Sequence, residues 1–368
     1  MEQYFELEDI TLIPSELNEG HPGNKVTFEV VDDMDRGEYA VSLPIFTSPM
    51  ESIIDKSVIQ TYVGAGIRPV LPLTETVEDR LELCKWIFCS FTIGEVQKYF
   101  LNNKQMRNVN AQFRLCIDAG NGHDRNLLAL CGNLKQIYGA QVILMVGNVG
   151  CYEVYTDYSR AGIDYMRVGI SSGSLVDRET YGFHYPMGSL LEGLKTYKKT
   201  SGIGLPKQVK IVADGGIRCM SDIIKCLALG ADYVMTGREF AKIIEAGGII
   251  YKRGKTKSGD KQNDRIDPSL LRGYTGDRAK MDGLVRQYFG NTSVQMRAIR
   301  AGYPDVESYL ADKPNIKVHD TSWNYVDIEY NMEEWITEFK RCAYYAFMMT
   351  GTNKWADFKT KIRYGTTI

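Results

Sequence analysis

Two short glycine-containing runs carry the groups best suited to holding an anion. Ala213-Asp214-Gly215-Gly216-Ile217-Arg218 and Met235-Thr236-Gly237-Arg238 each follow an apolar run and precede a helical pattern. Adjacent glycines let backbone N–H groups approach a phosphate closely, and helix N-termini favour negative charge. Asp214 adds a carboxylate able to accept hydrogen bonds from a ribose diol. Tight turns are the plainer alternative for the same glycines. A third run, RVGISSGSLVDRETYGFHYP (Arg167 to Pro186), is a Gly/Ser loop too long for a mere connector. Among the eight cysteines only Cys84/Cys89 and Cys219/Cys226 are near neighbours. None forms a CxxC pair, and no histidine lies close enough to complete a zinc set, so neither a disulfide scaffold nor a metal site is expected.

Composition narrows the classes further. The chain has 368 residues, 44 Lys+Arg against 46 Asp+Glu and a formal charge of −2, which leaves no sequence-wide basic excess for a nucleic-acid partner. Its opening, MEQYFELEDI, is acidic where a signal peptide is basic then apolar, and the longest uncharged stretch, Gln136 to Tyr152, is broken by polar residues and glycines. A soluble protein of a reducing, cytoplasmic compartment with no membrane partner is expected.

The elements that must position these groups follow from periodicity. Eight short apolar runs recur, at Leu43–Thr47, Ile67–Leu71, Trp86–Thr92, Phe113–Ile117, Gln141–Val146, Asp164–Val168, Val209–Ala213 and Tyr233–Thr236. Helical patterns lie between them at Ser52–Val63, Val77–Lys85, Gly94–Asn102, Arg125–Tyr138, Tyr152–Arg160, Gly188–Lys199 and Ser221–Leu229. Strand-helix alternation implies parallel strands, and eight repeats point to an α/β fold of the closed (β/α)8 TIM barrel type. The third strand is the most ambiguous, because WIFCSFT also suits an extension of the helix before it. The whole chain, 1–368, reads as one barrel domain. From Gly247 to about Glu334 no clear period holds. Tyr251–Arg265 there carries six basic and two acidic residues, read either as a solvated mobile loop or as a flap over an anionic ligand. The 247–334 segment is accordingly taken as a flap or insert, and Glu334–Met349 as a closing helix. In such barrels functional groups gather at the C-terminal ends of the strands, with phosphate often held after strands seven and eight, where Asp214 and Gly237 stand.

With those elements in place, RVGISSGS, then R-x-x-x-G-x-x-YP, then IVADGGIRCMSDIIKCLALGADYVMTG resembles the IMP dehydrogenase/GMP reductase family. LEDITLIPSE, TSPMES, LCIDAGNGH and VGNV match in family order, with weaker similarity in RGYTGDRAK and RQYFGN. The absence of an interrupting CBS regulatory domain and the forms DAGNGH and TYGFHYP lean toward the reductase, which implies NADPH-dependent reduction of GMP to IMP, with NADH and an IMP dehydrogenase-like activity as alternatives. The resemblance implies a purine nucleotide of the GMP or IMP class with phosphate near Ser174, Gly215, Gly216 and Gly237, Asp214 on the ribose, and Ser48 and Met50 near phosphate and base. It puts Asp118, Asn121 and Asn148 on the nicotinamide side and Gly273 and Tyr274 in a segment covering the nucleotide. A homotetramer follows from the same resemblance. Arg238 replaces a usually small residue and is expected either to contact phosphate or to pair with Glu239.

The chain departs from the family where the chemistry is most demanding. The family mechanism uses a cysteine two residues after the loop serine to attack purine C2, and here Val176 stands there in a loop one residue short. The shortened loop also argues against the family's monovalent-cation site. Downstream, MRAIRAG (Met296–Gly302) has no carboxylate where the reductase has one. Cys151 and Cys219 are weak substitute nucleophiles. Asp177 is the better candidate for general acid or base work, with pairing to Arg178 as its structural alternative. Three readings stay open: an oxidoreductase with an altered loop, a non-redox purine-nucleotide enzyme using Asp177, and a catalytically silent nucleotide-binding protein.

Overall fold

A computed structural model describes residues 4–16, 25–33, 41–119, 121–170, 182–200, 204–206, 208–255, 261–266, 281–289, 298, 301, 303, 306–313 and 324–367. Three short strands, β1 (Ile10–Ile13), β2 (Val30–Val31) and β3 (Val41–Ser42), precede eight longer-range partners: β4 (Ile45–Thr47), β5 (Val70–Leu71), β6 (Phe88–Phe91), β7 (Phe113–Asp118), β8 (Val142–Val149), β9 (Tyr165–Val168), β10 (Lys210–Asp214) and β11 (Tyr233–Thr236). These eight form one parallel sheet of order β4-β11-β10-β9-β8-β7-β6-β5. The ring closes through a Phe46–Arg68 bridge, where Arg68 N donates to Ile45 O and Thr47 N to Arg68 O, both at 3.0 Å. All eight expected strands therefore form, and the fold is the (β/α)8 barrel. WIFCSFT resolves as strand: the preceding helix stops at Leu83, and Phe88–Phe91 is buried on both faces, as a barrel strand must be.

Alternation along the strands decides what fills the barrel. Phe46, Val70, Phe88, Cys116, Met145, Tyr165, Val212, Tyr233 and Met235 make one interior cluster, while Ile45, Leu71, Leu115, Leu144, Met166, Ala213 and Val234 join the outer core beneath the helices. Helices Arg125–Tyr138, Met187–Thr200 and Met220–Ala228 match their expected spans closely. Elsewhere local chemistry shortens them. The helix expected from Ser52 is confined to Ile59–Gly64, because Asp55 Oδ1 accepts from Ser57 N at 2.7 Å and residues 50–54 form turns that receive Gly247 N on Ile53 O. That expected from Gly94 is α-helical only over Ile93–Val96 and continues as a π-helical turn, Gln97–Leu101. The fifth helix starts at Tyr155 rather than Tyr152.

The N-terminal end of the barrel is closed by charge rather than by apolar packing alone. Asp32, just after β2, reaches in beneath the strands and accepts from Arg68 at 2.6 Å, from Tyr233 Oη at 2.9 Å and from Tyr165 Oη. Tyr165 and Tyr233 are the first residues of β9 and β11, and Arg68 precedes β5. Its guanidinium lies 5.4 Å from the ring centroids of both Phe46 and Tyr233. Asp32 and Arg68 are both fully buried.

Where no period was legible after β11, the structure has a second, antiparallel sheet: β12 (Ile250–Lys255), β13 (Lys261–Arg265), β14 (Leu284–Tyr288) and β15 (Asn324–Asp327), in the order β13-β12-β14-β15. The basic run Tyr251–Arg265 forms the β12–β13 hairpin, with Tyr251 opposite Arg265 and Lys255 opposite Lys261, instead of an unstructured loop over its described residues. Arg286 anchors this sheet to the barrel by donating to Ile243 O at 2.9 Å and Ile244 O at 3.2 Å. Burial pulls its guanidinium down to about 10. The closing helix, Met332–Thr350, has an Asn331/Glu334 capping box and buries Trp335, Phe339 and Phe347. The final strand β16 (Arg363–Thr366) returns to pair with β1.

Removing one partner of the Asp32–Arg68 pair leaves an uncompensated buried charge. Asp32→Ala is expected to cost about 3–5 kcal/mol, read as a lowered urea midpoint at unchanged slope. A shift below about 1 kcal/mol would show that the pair does not hold the N-terminal segment in the barrel.

Candidate functional site

At the opposite end, the same alternation carries polar side chains inward. Tyr165 and Val212 point into the barrel, so Arg167 and Asp214, two residues further along β9 and β10, do so as well. Arg167 donates from Nε at 3.0 Å and from Nη2 at 2.8 Å to Asp214 Oδ2, and from Nη1 at 3.1 Å to Asp118 Oδ1 at the end of β7. Asn148, near the end of β8, donates to the same Asp214 oxygen at 2.8 Å and to Gly169 O at 3.1 Å. Four strand ends are thus tied by one buried cation. Burial opposes the Arg167 charge, but the Asp214 and Asp118 carboxylates outweigh it and hold the guanidinium above its usual range.

This bracing leaves useful atoms unspent. Among the described residues Asp214 Oδ1 and Asn148 Oδ1 accept no hydrogen bond and the hydroxyl of Ser48, directly after β4, has no partner, while the Ser48 amide donates to Thr236 O at 3.0 Å. Gly215 and Gly216 follow Asp214 with φ of 101° and 75°, left-handed values that favour glycine, and neither amide makes a backbone hydrogen bond among the described residues. Gly169 is equally constrained: at φ 127° a Cβ there would lie 2.3 Å from Asp214 O.

Gly237, at the end of β11, is closely covered by the ends of two side chains, one of which would have to shift to admit a Cβ. A Cβ there would stand 2.8 Å from the Met50 sulfur and 2.9 Å from Tyr288 Oη. Met50 and Gly237 therefore meet at the rim, and Arg238 is beside them, half-buried. Its expected alternative partner, Glu239, is instead paired with Lys242 at 2.6 Å.

The sequence-derived residues divide cleanly. Ser48, Met50, Asp118, Asn148, Asp214, Gly215, Gly216, Gly237 and Arg238 share the C-terminal rim. Asn121 is exposed, and its Oδ1 accepts from His123 N at 3.0 Å within its own turn, so it does not join the Asp118–Asn148 cluster. Ser174, Val176, Asp177, Gly273 and Tyr274 lie outside the described residues. Sequence reasoning missed Arg167 and Tyr288 as site residues. The first was legible from strand alternation in DYMRVG; the second sits on β14, in the segment with no detectable period.

None of the thiols near the rim is activated. Burial pushes Cys116, 3.5 Å from Arg167 Nη1, up to about 11, and burial likewise raises Cys151 and Cys219.

Comparison with known proteins agrees with this geometry. The model of the IMP dehydrogenase/GMP reductase domain matches residues 78–260. A GMP reductase of Clostridium acetobutylicum is 28% identical over 283 residues, which cover 72% of this chain and 82% of that protein. An inosine-5'-monophosphate dehydrogenase of Rhodopirellula baltica is 34% identical over 145 residues, 39% of this chain and 26% of that one. The crystal structure of the inosine 5' monophosphate dehydrogenase from Legionella pneumophila superposes with a TM-score of 0.70 at 21% identity, covering 100% of this chain and 99% of that one, and so shares the fold. The barrel with its appended sheet defines an α/β protein whose polar site is at the C-terminal rim. The chain belongs to the IMP dehydrogenase/GMP reductase family.

Arg167→Gln removes the buried cation that ties the Asp118 and Asp214 carboxylates together. The variant should lose about 3 kcal/mol of stability, measured by denaturant unfolding. A loss below about 1 kcal/mol would refute the role of this cation in holding the strand ends.

Proposed function

We propose that this chain binds a purine nucleoside 5'-monophosphate across the ends of β10, β11 and β4, and that it is a purine nucleotide oxidoreductase most like an NADPH-dependent GMP reductase. The observation that carries the reading is Asp214, whose Oδ2 is fixed by Arg167 and Asn148 while Oδ1 is left for a ribose diol. The unengaged amides of Gly215 and Gly216 and the Ser48 hydroxyl suit the phosphate end. The similar proteins are named as GMP reductases and an IMP dehydrogenase, which supports the purine ligand and the redox class.

The free Oδ1 of Asn148, a neutral acceptor beside Asp118, fits the carboxamide of a nicotinamide. A bound reduced nicotinamide would supply a hydride, two electrons, to purine C2, with uptake of one proton and departure of the 2-amino group as ammonia. Arg167 would keep Asp118 and Asp214 aligned. Asp177 is proposed as the group that moves the proton. Val176 offers no nucleophile, and Cys116, Cys151 and Cys219, all raised above the ordinary thiol range, do not replace it. Hydride delivery would therefore proceed here without a thioimidate from any of these residues. The same absence favours a second reading, a nucleotide-binding protein without turnover. We extend the first reading to a cytoplasmic homo-oligomer.

Purified protein with GMP and NADPH, or IMP and NAD, followed at the reduced-nicotinamide absorbance, decides between them. Turnover is expected to be slow, lacking covalent activation, and Asp177→Asn should lower it about 10²-fold or more. Tight GMP or IMP binding with no turnover at high enzyme would establish the second reading.

A further inference from the structure

The chain after β8, the stretch entering the Met187–Thr200 helix, that helix itself and the N-terminal segment enclose a cavity of about 380 Å³ that none of the rim groups lines. Four tyrosines, Tyr4, Tyr152, Tyr185 and Tyr197, line it together with Glu192, the one charged lining group among the described residues. Tyr185 stands at 82° to both Tyr4 and Tyr152, with ring centroids 5.3 and 6.5 Å away. Tyr152 is tilted by 49° to Tyr197 at 5.8 Å. Rings set near right angles make the corner of a box rather than two parallel plates, which suits a rounded group better than a flat base.

Charge selects the occupant. Tyr364 Oη donates to Glu192 Oε1, while Glu192 Oε2 accepts no hydrogen bond and makes no ion pair among the described residues. Burial raises the Tyr185 pKa, and the phenols of Tyr4 and Tyr152 and the carboxylate of Glu153 raise it further, so its ring stays neutral. Two lysines of the helix are spent elsewhere, Lys195 on Ala228 O at 3.3 Å and Lys198 on Asp232 Oδ2 at 3.4 Å. Electron-rich ring faces beside an unpaired carboxylate call for a cation. The walls are also built in place. Tyr197 Oη and Thr156 Oγ1 lie 3.3 Å apart, and a Cβ on Gly193, inside the helix, would stand 2.5 Å from Tyr152 Cδ1. Glycine weakens a helix interior, and here its bare backbone seats the ring.

We propose that this cavity binds a small quaternary ammonium ion of choline size, its N-methyl groups against the tyrosine faces and its charge toward Glu192 Oε2. The site is separate from the rim and does not depend on the nucleotide reading.

Ligand-observed NMR with choline, tetramethylammonium and dimethylbutanol, the uncharged carbon isostere of choline, tests the assignment at constant ionic strength. Saturation should pass to the N-methyl protons of both cations, and the isostere should bind about tenfold more weakly. Tyr185→Leu and Glu192→Gln should each weaken choline binding about threefold or more. The glutamine keeps an oxygen for Tyr364 Oη, so it removes the charge and spares the packing. Should Tyr185→Leu not fold, Tyr197→Leu carries the same comparison. Folded variants that bind choline as tightly as the parent overturn the assignment. So does an isostere that binds as well as choline, or a parent protein that binds neither cation at millimolar concentration.

Discussion

The charge of Arg167 is the constraint on which the rim depends. A guanidinium buried inside a barrel is tolerated only when carboxylates surround it, and here Asp214 and Asp118 do so at about the spacing its planar fork allows. Because those carboxylates end β10 and β7, and Asn148 on β8 joins them, satisfying the charge also fixes the relative height of four neighbouring strands. The same bonds that offset the cost of burying the charge orient Asp214, leaving its Oδ1 without a hydrogen bond among the described residues. The alignment of the strand ends and the orientation of Asp214 are therefore set by one network, in which Arg167 acts through the groups it holds.

The barrel repeats this solution at its other end with different partners. There Arg68 is balanced by Asp32 and by two tyrosines that begin β9 and β11, and the layer between is aromatic and aliphatic. Tyr165 and Arg167 are alternate residues of one strand, so a single four-residue strand supplies a side chain to both polar ends. The lower network draws its acid from a segment preceding the barrel; the upper one uses only strand residues. This difference suits their duties, since the lower end is closed by the chain itself and the upper end has groups left unsatisfied.

The cysteines show why residue identity and environment must be read together. Cys116 lies within reach of the Arg167 guanidinium, which lowers a thiol pKa, yet burial dominates and the thiol remains protonated. Cys151 and Cys219 are less buried and are still raised. Proximity to the site does not make any of them a thiolate.

The sequence by itself determined the barrel, because eight strands buried on both faces must be continuous apolar runs, and the turn after β10 must carry glycine where φ is left-handed, at Gly215 and Gly216. Ser48, Met50, Asp118, Asn148 and Asp214 stand at the rim because each ends or follows a strand, and a strand's end is local information. Asn121 shows the limit of that locality: its neighbours in sequence reach the rim cluster, but its own side chain is spent on a turn. Only the tertiary structure decided which of these groups touch, that Arg167 is the cation they share, and that Arg238 is left without Glu239. It alone brought Tyr288 over Gly237. That contact joins residues 51 positions apart through a sheet whose pairing is set by long-range hydrogen bonds and a buried Arg286, neither of which leaves a period in the chain.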